Sequence, residues 1–161
     1  MLREKAKALT KKDIASTKIK NLIKKMRATL APEENGVAIA APQVGESVRI
    51  FLVAGKVFDD ENKNSGTERT KKSPDKVFVN PEIIRASRKK KSMAEGCLSV
   101  RDVYGKVMRH EKASVRALDE HGRSFTYHGS GLLAQIFQHE TDHLNGILFI
   151  DKAETLDEPK K

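Results

Sequence analysis

Between Gly131 and Leu144 the chain reads as a helix that hides two histidines, and this constrains the fold more than any other feature. Leu132, Ile136, His139 and His143 recur at three- and four-residue spacing, one stripe on a helix that turns about 100° per residue. Leu133, Phe137 and Leu144 widen the apolar arc, whereas Gln138 and Thr141 are expected to point away. Gly146 stands where a helix C-terminus favours glycine. Two imidazoles on the buried side of such a helix need other elements packed over them, so the helix is expected at the centre of the domain.

The segment His139-Glu140-Thr141-Asp142-His143 carries the chemistry. Two neutral rings one turn apart can chelate one divalent metal, which lowers the pKa of a water it binds, and Glu140 stands beside them to take that proton. A single histidine on this face would be read as a satisfied core residue; two of them around a glutamate favour a metal. They leave a third protein ligand to be found. Downstream, Asp151, Glu154, Asp157 and Glu158 lie in a polar tail. Upstream, Glu95-Gly96-Cys97-Leu98-Ser99 offers a thiol after a glycine, where backbone can approach closely. Cys97 is the only cysteine, so no intrachain disulfide forms. A lone cysteine is ordinarily a small buried hydrophobe, but beside a metal it becomes a thiolate ligand, and Cys97 is a candidate for the third position.

At 161 residues the chain fits one domain. An amphipathic helix is expected from Asp13 to Leu30, with Ile19, Leu22, Ile23, Met26 and Leu30 on its buried stripe and Lys18, Lys20, Lys24 and Lys25 outside. Strands are expected at Val48–Val53, Val77–Val79 and Ile83–Ile84. A hairpin is expected from Ala113–Leu118 and Ser124–Tyr127 around Gly122. Residues 57–76 are polar and read as a long exposed loop. Residues 152–161 read as a frayed polar tail. The expected class is α+β: short antiparallel strands packed around the central histidine-bearing helix, plus an N-terminal helix, in one catalytic domain over residues 1–151.

Hydrophobic residues at 38% and charged residues at 33% argue against wholesale disorder. No apolar run approaches the roughly 20 residues that cross a bilayer, and no secretory signal opens the chain, so a cytoplasmic protein without membrane contact is expected. Lys plus Arg exceeds Asp plus Glu, 31 against 22, for a net charge of +9. Such a balance favours acidic partners, RNA included. The charge is scattered and no aromatics are interleaved with it, so a dedicated nucleic-acid module is weakly supported.

Three segments together resemble the peptide deformylase family: Gly36-Val37-Ala38-Ile39-Ala40-Ala41-Pro42-Gln43, Glu95-Gly96-Cys97-Leu98-Ser99 and Gln138-His139-Glu140-Thr141-Asp142-His143. The likeness runs from about Leu2 to Asp151. It implies an enzyme that removes the formyl group from N-formylmethionyl ends of newly made proteins and releases formate. It implies Fe2+, replaceable by Zn2+, Ni2+ or Co2+, on Cys97, His139 and His143. Glu140 is then the general base that activates the metal's water for attack on the formyl carbon. Gln43 and the Leu98 amide stabilise the oxyanion. The substrate backbone would pair with the extended segment Val37-Ala38-Ile39. Gly96 permits close approach, and Val37, Met93, Leu132 and Ile136 lie near the methionine pocket. Two positions depart from the family: Ala38 stands where glycine is usual, narrowing the approach to the backbone, and Arg101 where proline is common. The implied partners are formylated nascent chains and, through the basic surface, a transient contact with the ribosome, for a chain acting as a monomer. Two other readings remain open: a metallopeptidase of the broader His-Glu-x-x-His kind, and a catalytically weak RNA- or ribosome-associated protein.

Overall fold

The computed structural model describes residues 2–64 and 72–157. Its N-terminal helical region divides in two, α1 (Lys11–Ile14) and α2 (Thr17–Leu30), where one helix from Asp13 was expected. Ser16 causes the break: its hydroxyl accepts from the Ile19 N–H and caps α2. The five residues read as the buried stripe of α2 are all buried.

A five-stranded antiparallel sheet runs in the order β1-β2-β3-β6-β7, comprising Ala38–Ala40, Ile50–Val53, Lys76–Ala86, Lys112–Leu118 and Ser124–Ser130. Its first three strands are covered on both faces, and period-two alternation sorts their side chains. Ile39, Ile50, Leu52, Val77 and Val79 pack with the α2 stripe. Ala38, Ala40, Phe51, Val53 and Phe78 face the other way, against Leu133, Ile136, Phe137 and Leu144 of α4 (Gly131–Leu144). Phe78 sits at the centre of that layer, stacked on Phe51 at 4.7 Å and edge-on to Phe137 at 5.3 Å. The runs Val77–Val79 and Ile83–Ile84 belong to one strand, β3, with a bulge at Asn80-Pro81. The proline has no N–H to give the ladder, and Asn80 takes a positive φ of 50°.

A second sheet, β4-β5-β8 (Lys90–Cys97, Val100–His110 and Ala153–Asp157), closes over another side of α4. Sequence reading gave no strands over residues 90–110, because lysines, arginines and two glycines interrupt the apolar alternation there. Gln138, expected to point away from the buried side, is therefore buried: its side chain accepts from the His110 N–H and donates to the His110 carbonyl, pinning α4 to β5. A helix packed between two sheets buries a wider arc than a single stripe.

Two further expectations are corrected. The exposed loop over 57–76 gives way, in its first part, to α3 (Gly55–Asn64), because Val57 and Phe58 bury themselves in the α4-facing core, Phe58 edge-on to Tyr127 at 5.4 Å. Residues 65–71 lie outside the described part, and 72–75 lead without regular structure into β3. The tail is not frayed through Asp157: a short helix, α5 (Phe149–Lys152), feeds β8, which pairs with β5 from Tyr104 to Val107. Among the described residues no helix is long and apolar enough to cross a membrane.

Candidate metal centre and active-site cleft

Four segments meet at a cleft of about 660 Å³: the loop and edge strand at Gly36–Ala38, the 3-10 turn Ala41–Val44 that follows β1, the β4–β5 turn, and the inner face of α4. Cys97 ends β4 at a register shift, which turns its thiol towards the helix. Its Sγ lies 3.2 Å from His143 Nε2, and the ligand atoms of Cys97, His139 and His143 all fall within 4.8 Å of one another. The two imidazoles stand edge to face, 4.9 Å between centroids, as one helical turn requires.

The orientation of His139 is fixed from behind. Its Nδ1 meets Glu95 Oε1 at 2.7 Å, which leaves Nε2 for the cleft. Glu95 in turn accepts two bonds from the Arg109 guanidinium, Nε at 2.6 Å and Nη2 at 2.7 Å. The third arm, Nη1, donates to Asp142 at 2.7 Å, and Lys152 Nζ approaches Asp142 at 3.1 Å. Arg109 is 2% exposed and Glu95 6%. One guanidinium thus ties β5, β4 and α4 together directly behind the site.

Gln43 is held equally firmly. Its Oε1 accepts from the Ala40 N–H at 2.8 Å, so the amide cannot be reversed, and Nε2 is presented to Cys97 Sγ at 3.5 Å and Ser99 Oγ at 3.0 Å. Pro42 at the start of the turn and Gly45 at its end, with φ of 90°, set the tight geometry.

The electrostatics fit a cation. Burial opposes charge on His139, but the hydrogen bonds it gives to Cys97 and Glu95 and the charges of Glu140 and Glu95 outweigh it, raising its pKa to about 10. A site that keeps a proton on a largely buried ring carries excess negative charge, which a divalent ion would neutralise in the proton's place. Burial and the neighbouring His139 charge depress His143 to about 3, so that ring stays neutral, as a ligand must. Glu140 is pushed up to about 7, chiefly by burial. Its Oε2 is buried without a hydrogen-bond partner, and Oε1 lies 3.9 Å from His139 Nε2. A carboxylate so placed has one oxygen left for a water or a substrate atom. The donor set of one thiol and two imidazoles suits Fe2+ or Zn2+.

The cleft brings together most of the residues the sequence singled out: Val37, Ala38, Gln43, Gly96, Cys97, Leu98, Leu132, Ile136, His139 and Glu140 line it. His143 joins through its contact with Cys97. Ile39 and Met93 do not line it. Alternation turns the Ile39 side chain to the α2 face, where it is 1% exposed, whereas Met93 shares its face of β4 with Glu95 but lies two residues further from Cys97, beyond the lining. The Tyr104 ring covers Gly96 so closely that a Cβ there would meet it at 2.8 Å. Sequence reasoning assigned no role to Glu95, Arg109 or Asp142. Glu95 and Asp142 lay inside motifs already in view, whereas nothing in the sequence joins Arg109 to them.

A family model described as polypeptide deformylase matches residues 1–159. The peptide deformylase 2 of Clostridium acetobutylicum is 38% identical over 151 residues, 94% of this chain and 87% of its own. The peptide deformylase of Borreliella burgdorferi is 42% identical over 151 residues, covering 94% and 81%. Among solved structures, a class I type b peptide deformylase from Acinetobacter baumannii bound to Met-Ala-Ser superposes with a TM-score of 0.79 at 36% identity, over 94% of this chain and 91% of that one. An actinonin complex of the Synechococcus elongatus peptide deformylase superposes with a TM-score of 0.78 at 34% identity, over 96% and 74%. With that match along nearly its whole length, the chain belongs to the peptide deformylase family, hydrolases that remove the N-formyl group from newly made proteins.

Proposed function

We propose that residues 1–151 form one catalytic domain in which Cys97, His139 and His143 hold Fe2+, with Zn2+, Ni2+ or Co2+ as possible replacements, for hydrolysis of N-formylmethionyl peptides. The observation that carries this reading is the approach of three ligand atoms to within 4.8 Å of one another, with Glu140 beside them. When bound, the ion supplies a hydrolytic water at neutral pH and polarises the formyl carbonyl. Glu140 takes a proton from that water and returns it to the departing amine, a double duty suited to a carboxyl near neutrality. Gln43 Nε2, locked by Ala40, faces the developing oxyanion together with the Leu98 N–H.

The substrate backbone adds to the free edge of β1. Val37 gives its carbonyl to Ala54 N–H, on the β2 side, and alternation then turns the N–H and C=O of Ala38 outward into the cleft. The methionine side chain enters beside Val37, Leu132 and Ile136. The Ala38 methyl narrows that approach. Formylated nascent chains are the substrate, met in the cytoplasm by a monomer whose +9 charge draws it to the ribosome.

The test is formate release from a formyl-Met peptide by iron-loaded, oxygen-protected protein, with Glu140→Ala alongside. Turnover by the parent and a loss of about 10²–10⁴-fold in the variant, at unchanged metal content, is the expected result. Formate release at the parental rate from Glu140→Ala would reassign the base, and no release from the parent would overturn the reading.

A further inference from the structure

A second concavity, of about 480 Å³, lies on the face of the five-stranded sheet that α4 does not cover. The inner faces of β6 and β7 turn Val115, Ala117, Phe125 and Tyr127 towards α4. Alternation therefore places Lys112, Ser114, His128 and Ser130 on the outer face. The register sets Arg85, Ser114 and His128 in one row across β3, β6 and β7, with Lys112 and Ser130 paired two residues further along. Cross-strand neighbours of this kind stand about 5 Å apart, so the Arg85 and His128 backbones flank Ser114 about 10 Å from each other.

Ser114 forms the floor, 7% exposed, and its hydroxyl meets His128 Nδ1 at 2.6 Å. That contact leaves Nε2 as the free ring atom. Ser87 and the Lys112 backbone close the rim, joined by the Lys112 N–H to Ser87 Oγ bond at 3.0 Å. In a chain with 22 acidic residues, none lines this concavity. Glu82 of β3 and Glu111, just before β6, are engaged by Arg116 and Lys89. Arg85 and Lys112 have no carboxylate partner among the described residues. The link from β3 into β4 continues the charge outward: Lys89 accepts at its carbonyl from Glu111 N–H, which sets Arg88, Lys89, Lys90 and Lys91 near Lys112.

Two cations without a carboxylate partner, an imidazole and the Ser130 hydroxyl stand around one hollow that no carboxylate lines. This is the complement of a phosphate group, and the adjoining basic segment Arg88–Lys91 extends it along a chain of them. We propose that this outer face of β3, β6 and β7 binds RNA backbone, one phosphate seated between Arg85, Lys112 and His128 and its neighbours on the segment Arg88–Lys91. The proposal gives a place to the ribosome contact suggested above. It is separable from the hydrolytic reading, because this face is not part of the cleft and a free peptide does not need it.

The test measures binding of a labelled, short single-stranded RNA of mixed sequence by fluorescence anisotropy across a salt series. The protein is metal-loaded and compared with the double variant Arg85→Gln/Lys112→Gln. A control of equal charge loss, Lys18→Gln/Lys20→Gln, lies on the exposed side of α2. Each phosphate contact contributes about 0.7 to the slope of log affinity against log salt for single strands, so the double variant should lose about 1.4 from the parental slope and the control should keep it. All three should release formate from a short formyl-Met peptide at the same rate. Equal loss in both variants would mean diffuse attraction without a site. Binding of inorganic phosphate with no affinity for RNA would mean a small-anion site. No RNA binding by the parent would mean no such surface. Each of these three results overturns the proposal.

Discussion

Arg109→Met removes the buried guanidinium behind the metal-ligand cluster while keeping the apolar stem of the side chain. Glu95 is then left 6% exposed with a single remaining partner, His139. In the intact protein burial alone would raise the Glu95 pKa, yet hydrogen bonds and charge from Arg109 and His139 hold it at about 2 against an ordinary 4.5. At about 1.4 kcal/mol per pH unit this difference corresponds to about 3 kcal/mol. Breaking a buried ion pair by deleting one member costs about 3–5 kcal/mol, which agrees. The sign in pH follows from the depressed value. The Glu95 contribution is fully present above pH 4.5 and is lost as pH falls through about 2. In the variant burial dominates, so the carboxyl prefers its proton, and acid relieves the defect instead of creating one. Urea unfolding of metal-free protein should show a loss of about 3 kcal/mol at neutral pH that shrinks towards pH 4. Metal affinity should fall by about 10–100-fold, since His139 loses its orienting partner's support. A variant within about 1 kcal/mol of the parent, with unaltered metal affinity, would refute the view that this guanidinium positions the site.

Two other outcomes follow from the same geometry. Gln43→Leu should lower kcat by about 10²–10³-fold at unchanged metal content, and a loss under about tenfold would exclude the side-chain amide as oxyanion donor. His139, raised to about 10, carries a proton in metal-free protein at neutral pH, so metal uptake should release at least that proton, measured calorimetrically in buffers of different ionisation enthalpy. Because its folded pKa lies above 6.5, metal-free stability from this ring is full below that value and lost as pH rises through about 10. Metal uptake without proton release would show that the ring is already neutral.

Local spacing specified α2, α4 with its metal-binding pattern, and the hairpin of β6 and β7. Two imidazoles at i and i+4 share a face whatever surrounds them, and Asp119 to Gly122 turns a chain whether or not a core exists. The β4–β5 hairpin was not legible, since its strands are stabilised by pairing and by α4 rather than by an apolar alternation of their own. The same holds for α3, whose helix rests on burying Val57 and Phe58 at one end of a polar stretch. Only tertiary structure could decide that Ile39 turns from the cleft, that Gln138 is buried, and that Arg109 stands between Glu95 and Asp142. Those are relations between side chains 14 to 33 residues apart or on opposite faces of a strand, and they exist only once two sheets have closed on one helix.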